Sequence, residues 1–167
     1  MITIISHFFL FLFLSFYNGK IFLDITKHDR LKLNFFEISL FGLIVTSFIA
    51  QIINFFYPLN DYLIIFNLLF VLIYFFLRKD RSILSLRKID TINIFFLIFI
   101  ILQIYGSGFS DDLNHYHYSY IGNSDNSNYI IGLGHLHGMY AYSSIWLITQ
   151  SYFNFDYSRL QDIHVLN

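Results

Sequence analysis

FFEISLFGLIVTSFIAQIINFFYPLNDYLIIFNLLFVLIYFFLR, residues 35–78, holds two long apolar runs separated by Pro58-Leu59-Asn60-Asp61. Proline lacks the amide proton a helix interior needs, and Asn and Asp side chains compete for their own backbone, so this tetrapeptide ends one helix and begins another. Each run is long enough, at ~1.5 Å per residue, to match a hydrocarbon core of ~30 Å. The stretch therefore predicts an antiparallel hairpin of membrane-spanning helices, over 35–57 and 59–77.

Two further runs flank this hairpin. Residues 2–17 are apolar apart from Thr3, Ser6, His7 and Ser15. That run is slightly short but spans with local thinning of the bilayer. No basic segment precedes it and no small-x-small site follows it, so it reads as a span rather than a signal peptide. Residues 91–105 form the fourth run. The fold expected is an all-α integral membrane protein, with about four transmembrane helices in 1–105 and an extracytoplasmic loop with interfacial helices in 106–167.

Composition agrees: 56% of the 167 residues are hydrophobic and 13% charged, against roughly 25% charged in ordinary soluble domains. The partner this implies is the lipid bilayer. A formal net charge of −1 offers no basic stripe for nucleic acid, and no such partner is expected. The chain has no Cys, which removes thiolate chemistry and Cys-ligated zinc.

Orientation follows from the basic residues, which stay cytoplasmic in short loops. Lys20, Lys27, Arg30 and Lys32 lie between the first two runs; Arg78, Lys79, Arg81, Arg87 and Lys88 lie between the third and fourth. The Pro58 turn and residues 106–158 have none. The N-terminus, the Pro58 turn and residues 106–158 are thus expected outside a bacterial inner membrane. The last residues, from Asp162 to Asn167, carry no mark of an ending, and the chain reads as a fragment.

Beyond the apolar runs the character changes, to Ser110-Asp111-Asp112-Leu113-Asn114-His115-Tyr116-His117. Ser110 is an N-cap candidate, the two Asp sit where a helix dipole favours anions, and Gly122 is a terminator, which predicts an interfacial helix over 111–121. Tyr116, Tyr118 and Tyr120 would anchor it at headgroup level. Period-two alternation through 115–120 leaves a strand open. A polar loop would follow over 122–128, and residues 139–155, apolar but interrupted by Tyr, Ser, Thr149 and Gln150, read as an interfacial or re-entrant helix rather than a fifth span.

Ionisable groups just beyond a span are costly and become functional candidates. Asp111 and Asp112 would each face a residue four positions on, His115 and Tyr116. A carboxylate there can take a proton from a hydroxyl or hold a divalent cation; the plain alternative is an acidic, solvated helix start. The pairs His115/His117 and His135/His137 share a face on a strand but diverge on a helix, so no metal ligands are assigned to them. Gly106-Ser107-Gly108 and Gly132-Leu133-Gly134 lack the Lys and the strand context of a phosphate loop.

Asp112-x-x-x-Tyr116-His117, then Gly132-Leu133-Gly134-x-Leu136-His137-Gly138, then Ser143-Ser144 resembles the amino-terminal part of a family of large, uncharacterised bacterial multi-spanning membrane proteins similar to glycosyltransferase superfamily C. The resemblance centres on 108–146. The chain departs from the pattern at His135, Met139 and Tyr142, where the family tends to have Asn, Arg and Asn.

The resemblance implies sugar transfer from a polyprenyl-phosphate carrier to an extracytoplasmic hydroxyl, in polysaccharide biosynthesis of the cell envelope. Asp112, with Asp111 beside it, would be the catalytic element; Tyr116, His117, His135 and His137 would contact sugar or phosphate; a divalent cation (Mg or Mn) is optional. Trp146 reads as an interfacial anchor. From a different class, Asp and His would line an ion or substrate path in a non-catalytic membrane subunit or a transporter fragment.

Overall fold

The computed structural model describes residues 2–27, 33–78, 94–95, 98–99, 118–129 and 145–153. Its helices are α1 (Ile2–Ile25), α2 (Phe35–Asn54), α3 (Asp61–Arg78), α4 (Tyr118–Asn126) and α5 (Ile145–Tyr152). No strand occurs among the described residues, and 118–120, where alternation left a strand open, are helical. Three helices, Ser6–Ile25, Phe35–Asn54 and Asp61–Arg78, are long and apolar enough to cross a membrane. Of the fourth expected span, only 94–95 and 98–99 are described, and they are helical.

The hairpin expected from residues 35–78 is present. Asn34 and Glu37 close a reciprocal cap at the start of α2: Glu37 N donates to Asn34 Oδ1 (2.9 Å) and Asn34 N to Glu37 Oε2 (2.7 Å). Two orphan amides of the first turn are satisfied this way. α2 ends at Asn54, and α3 begins with Asp61 in its first turn and ends on Arg78, both signs favoured by the helix dipole.

The first helix is longer than the 2–17 run. Asn18, Gly19 and Lys20 look like a break, yet α1 continues to Ile25, so Lys20 lies within a helix and not in a loop. The apolar face continues through buried Ile21 and Leu23. α1 closes at Lys27, whose φ is 58°, with Thr26 N bonded to Phe22 O (2.9 Å) and Lys27 N to Asp24 O (3.2 Å). A side chain in this left-handed region costs ~1–2 kcal/mol, while the charge near the helix end returns only ~0.3–1. Lys27→Gly is therefore expected to stabilise the protein by about 0.5 kcal/mol, a rise of about 1–2 °C in thermal unfolding in detergent; a fall would contradict the strained cap.

The chain forms two compact units. One comprises Met1–Val45 and Phe66–Ser107, with Asn167. Here α1 and α2 meet backbone to backbone at Gly19 and Gly42: a Cβ on Gly19 would lie 2.9 Å from Gly42 N and overlap the Ile38 carbonyl, and one on Gly42 would overlap the Ser15 carbonyl. Small residues permit this approach where no water drives helices together. Phe16 stacks on Phe35 (4.8 Å) and Phe22 meets Phe41 edge-on (5.5 Å).

α1 also holds α3: buried Tyr17 meets Phe75 edge-on, Tyr74 Oη donates to Asp24 Oδ2, and Arg78 lies 3.5 Å from the same carboxylate. Elsewhere α2 and α3 expose Leu40, Ile44, Phe66, Phe70, Ile73 and Phe76, a surface that acyl chains solvate and water does not.

The other unit comprises Thr46–Ile65 and Gly108–Leu166, so the hairpin turn shares it with α4 and α5.

Candidate functional site

The residues nominated by the sequence, Asp111, Asp112, Tyr116, His117, His135 and His137, lie outside the described residues, as do Ser110 and His115. Their flanks are described. α4 starts at Tyr118, directly after His117, and α5 starts at Ile145, directly after Ser143-Ser144.

α4 corrects two expectations. Gly122 does not terminate a helix; it lies inside α4, with nothing within 4 Å of a Cβ built on it, and residues 122–126 are helical rather than loop. The turn is made instead by side chains bonding back to carbonyls: Asn126 Nδ2 to Gly122 O (2.7 Å) and Ser127 Oγ to Asn123 O (2.7 Å). Such local bonds end helices without needing glycine. Tyr120 is no surface anchor: it is buried.

Two main-chain bonds tie α4 and the residues just after it to the hairpin turn. Leu59 N donates to Ser124 O (2.8 Å) and Tyr129 N to Asn54 O (2.7 Å), while the Tyr129 ring lies against Phe55 at 5.0 Å. Proline leaves the turn short of internal bonds; α4 supplies an acceptor for Leu59 N, and Tyr129, just beyond it, supplies a donor for Asn54 O.

α5 packs among polar groups. Thr149 Oγ1 lies 2.7 Å from Ser47 Oγ and 2.7 Å from Ile145 O. The Ile145 carbonyl can only accept, so Thr149 donates to it while accepting from Ser47 Oγ, or shares its one proton between the two oxygens. Ser151 Oγ donates to Asp125 Oδ1 (2.7 Å) and passes 3.5 Å from Ile121 O. Thr46, Ser47, Asn54, Ser124, Thr149, Gln150 and Ser151 are all buried in this unit. The other unit buries only Ser15 and Ser39 among described polar side chains.

Interhelical hydroxyl bonds between apolar helices contribute ~0.6–1.7 kcal/mol. Ser47→Ala and Thr149→Val should each destabilise, and the double variant should cost about 1 kcal/mol less than the sum, measured by unfolding in mixed micelles. Strict additivity would remove the bond from the account of this interface.

Tyr120 Oη and Asn54 Nδ2 are buried with no hydrogen-bond partner among the described residues. Burial, and secondarily the neighbouring Tyr129, pushes the Tyr120 phenol up to about 12. It stays protonated at neutral pH and is a donor, not a base. Sequence reading missed this seam. Its signal was Thr46-Ser47 inside an apolar run and Thr149-Gln150-Ser151 inside another, visible only once the two segments pack together.

Among the described residues, no three of His, Asp or Glu are grouped to hold a metal ion. The Asp and His residues suggested for a divalent cation fall outside that set.

A family model described as Domain of unknown function (DUF8201) matches residues 1–167. The chain belongs to this family. No curated protein matches it and no solved structure matches it. In DUF8201 terms, the matched region takes in α1 to α5 and both segments singled out by the sequence, 111–117 and 132–138.

Proposed function

We propose that this chain is the membrane-embedded part of a glycosyltransferase-like protein of the bacterial inner membrane, with the segments carrying Asp112 and His137 on the extracytoplasmic side. The observation that carries the reading is the hairpin unit. α4, which directly follows the first motif segment, and α5, which begins at Ile145 beyond the second, are both bonded to residues 47–59 of the α2–α3 hairpin. Arg78 ends α3 about 27 Å of helix away from that turn. Basic residues remain cytoplasmic, so the turn, α4 and α5 belong on the far side.

The chemistry follows from the residue types. A hydroxyl oxygen of the acceptor attacks the anomeric carbon of a polyprenyl-phosphate sugar. The glycosidic C–O bond forms, the bond from that carbon to the phosphate oxygen breaks, and the polyprenyl phosphate leaves with the electron pair. The hydroxyl proton passes to Asp112, the carboxylate assigned as general base. Asp111 adds negative charge beside it. Tyr116, His117, His135 and His137 supply hydrogen bonds to sugar and phosphate oxygens.

The test is transfer of a radiolabelled sugar from polyprenyl phosphate, in membranes containing the intact protein or its Asp112→Asn variant. Undiminished transfer by the variant overturns the catalytic assignment. Loss of ion flux without any sugar transfer in the parent protein selects the transport reading instead.

A further inference from the structure

A buried hydrogen-bond donor without an acceptor costs free energy, so folded proteins keep very few. The corner where α2, α4 and the hairpin turn meet keeps two. Asn54 is 1% exposed and Tyr120 7%, and neither Asn54 Nδ2 nor Tyr120 Oη has a partner among the described residues. Both belong to the same compact unit.

Tyr129 joins them. Its amide donates to the Asn54 carbonyl at 2.7 Å. After burial, it is the Tyr129 phenol that holds the Tyr120 phenol up, which sets the two side chains next to one another. Main-chain groups of this corner are paired, Leu59 N with Ser124 O and Tyr120 O with Ser124 Oγ. The side-chain donors are what it has left to offer. The Tyr129 ring, half-buried against exposed Phe55, is where the corner reaches the surface.

Charge decides what these donors suit. Residues 46–65 and 108–158 contain no Lys or Arg, and Asp61 and Asp125 lie in the same unit. An anion such as phosphate would lose its hydration here with no cation to offset the loss. An uncharged hydroxyl oxygen accepts from an amide or a phenol without that cost. A few fixed polar groups among aromatic side chains is how sites for small uncharged ligands are built.

We infer that Asn54 Nδ2 and Tyr120 Oη form a seat for a hydroxyl group of an uncharged sugar or glycolipid headgroup, reached from the side of Tyr129 and Phe55. The seat uses no residue of the segments carrying Asp112 and His137, and it stands if the proposed transfer chemistry is absent.

The full chain is reconstituted in phosphatidylcholine nanodiscs, because a glycoside detergent would itself compete for the seat. Thermal unfolding is followed with methyl glucoside or methyl galactoside in solution, with monoglucosyl or monogalactosyl diacylglycerol in the disc, and with inorganic phosphate. A sugar probe is expected to raise the midpoint by about 2–4 °C, and phosphate to leave it unchanged. Protection by the free glycosides identifies a soluble sugar; protection by the glycolipids alone identifies a headgroup.

Tyr120→Phe keeps the ring and removes the hydroxyl. Without sugar its midpoint is expected to rise by about 2–4 °C, since an unsatisfied donor is gone, and most of the sugar-induced shift should vanish. Asn54→Ala should lose that shift as well; should it fail to fold, Tyr120→Phe decides alone. A lower midpoint for Tyr120→Phe would show that the hydroxyl is already bonded, by water or by the protein, and overturn the inference. So would protection by none of the four sugar probes, equal protection of parent and Tyr120→Phe, or protection by phosphate.

Discussion

Gly42→Leu is expected to abolish the folded α1–α2 pair, with the protein recovered from detergent as aggregate by size-exclusion chromatography. The cause is the identity of the atoms a Cβ would meet: the Ser15 carbonyl, and Gly19 Cα at 2.9 Å. These are backbone atoms in a second helix, so no side chain can rotate away and the helices must separate as bodies. Overpacking against movable side chains costs ~1–3 kcal/mol; separation here also forfeits the contacts of Phe16 with Phe35 and Phe22 with Phe41. A loss above about 3 kcal/mol is expected, a large share of a marginal stability. Gly122 is the internal control. With open space around it inside α4, Gly122→Ala should stabilise by ~0.5–1 kcal/mol. Equal tolerance at both positions would refute the close approach.

On the proposed glycosyltransferase reading, Asp112→Asn should reduce sugar transfer by ~10²–10⁴-fold, the contribution of a positioned general base. Asn keeps the size and polarity of Asp, so the protein should accumulate at normal levels and the loss should appear in turnover rather than abundance. Asp111→Asn separates a catalytic carboxylate from a merely acidic helix start. If the two Asp only complement a helix dipole, worth ~0.3–1 kcal/mol, both variants should behave alike and retain most activity. A deficit confined to Asp112 supports the base; a matched pair of mild effects refutes it.

The α2–α3 hairpin was legible because Pro58 and Asn60-Asp61 interrupt apolar runs of membrane length, a conflict of local preferences that only a turn resolves. α1 was misjudged at its end. Asn18-Gly19-Lys20 resembles a loop on composition, but glycine there answers to Gly42 in another helix, a demand with no local trace. Gly122 misled in the opposite sense, read as a terminator where the ending is made by Asn126 and Ser127 bonding back to the preceding turn. The buried polar seam was unreadable for a similar reason: Ser47 and Thr149 are 102 residues apart, and each alone is an ordinary interruption of an apolar run. The Asp and His motifs were legible only as motifs, since their chemistry depends on neighbours that spacing does not specify.

The clasp at the end of α1 bears on how the protein is made. Asp24 is 18% exposed at its side chain, and its described partners, Tyr74 and Arg78, both belong to α3; the first is 50 residues downstream. At ~5–20 residues per second, the ribosome needs several seconds to deliver them. Throughout that interval the Asp24 carboxylate lacks the partners it has in the folded protein. The contacts that hold the end of α1 against α3 therefore form only once α3 has been made.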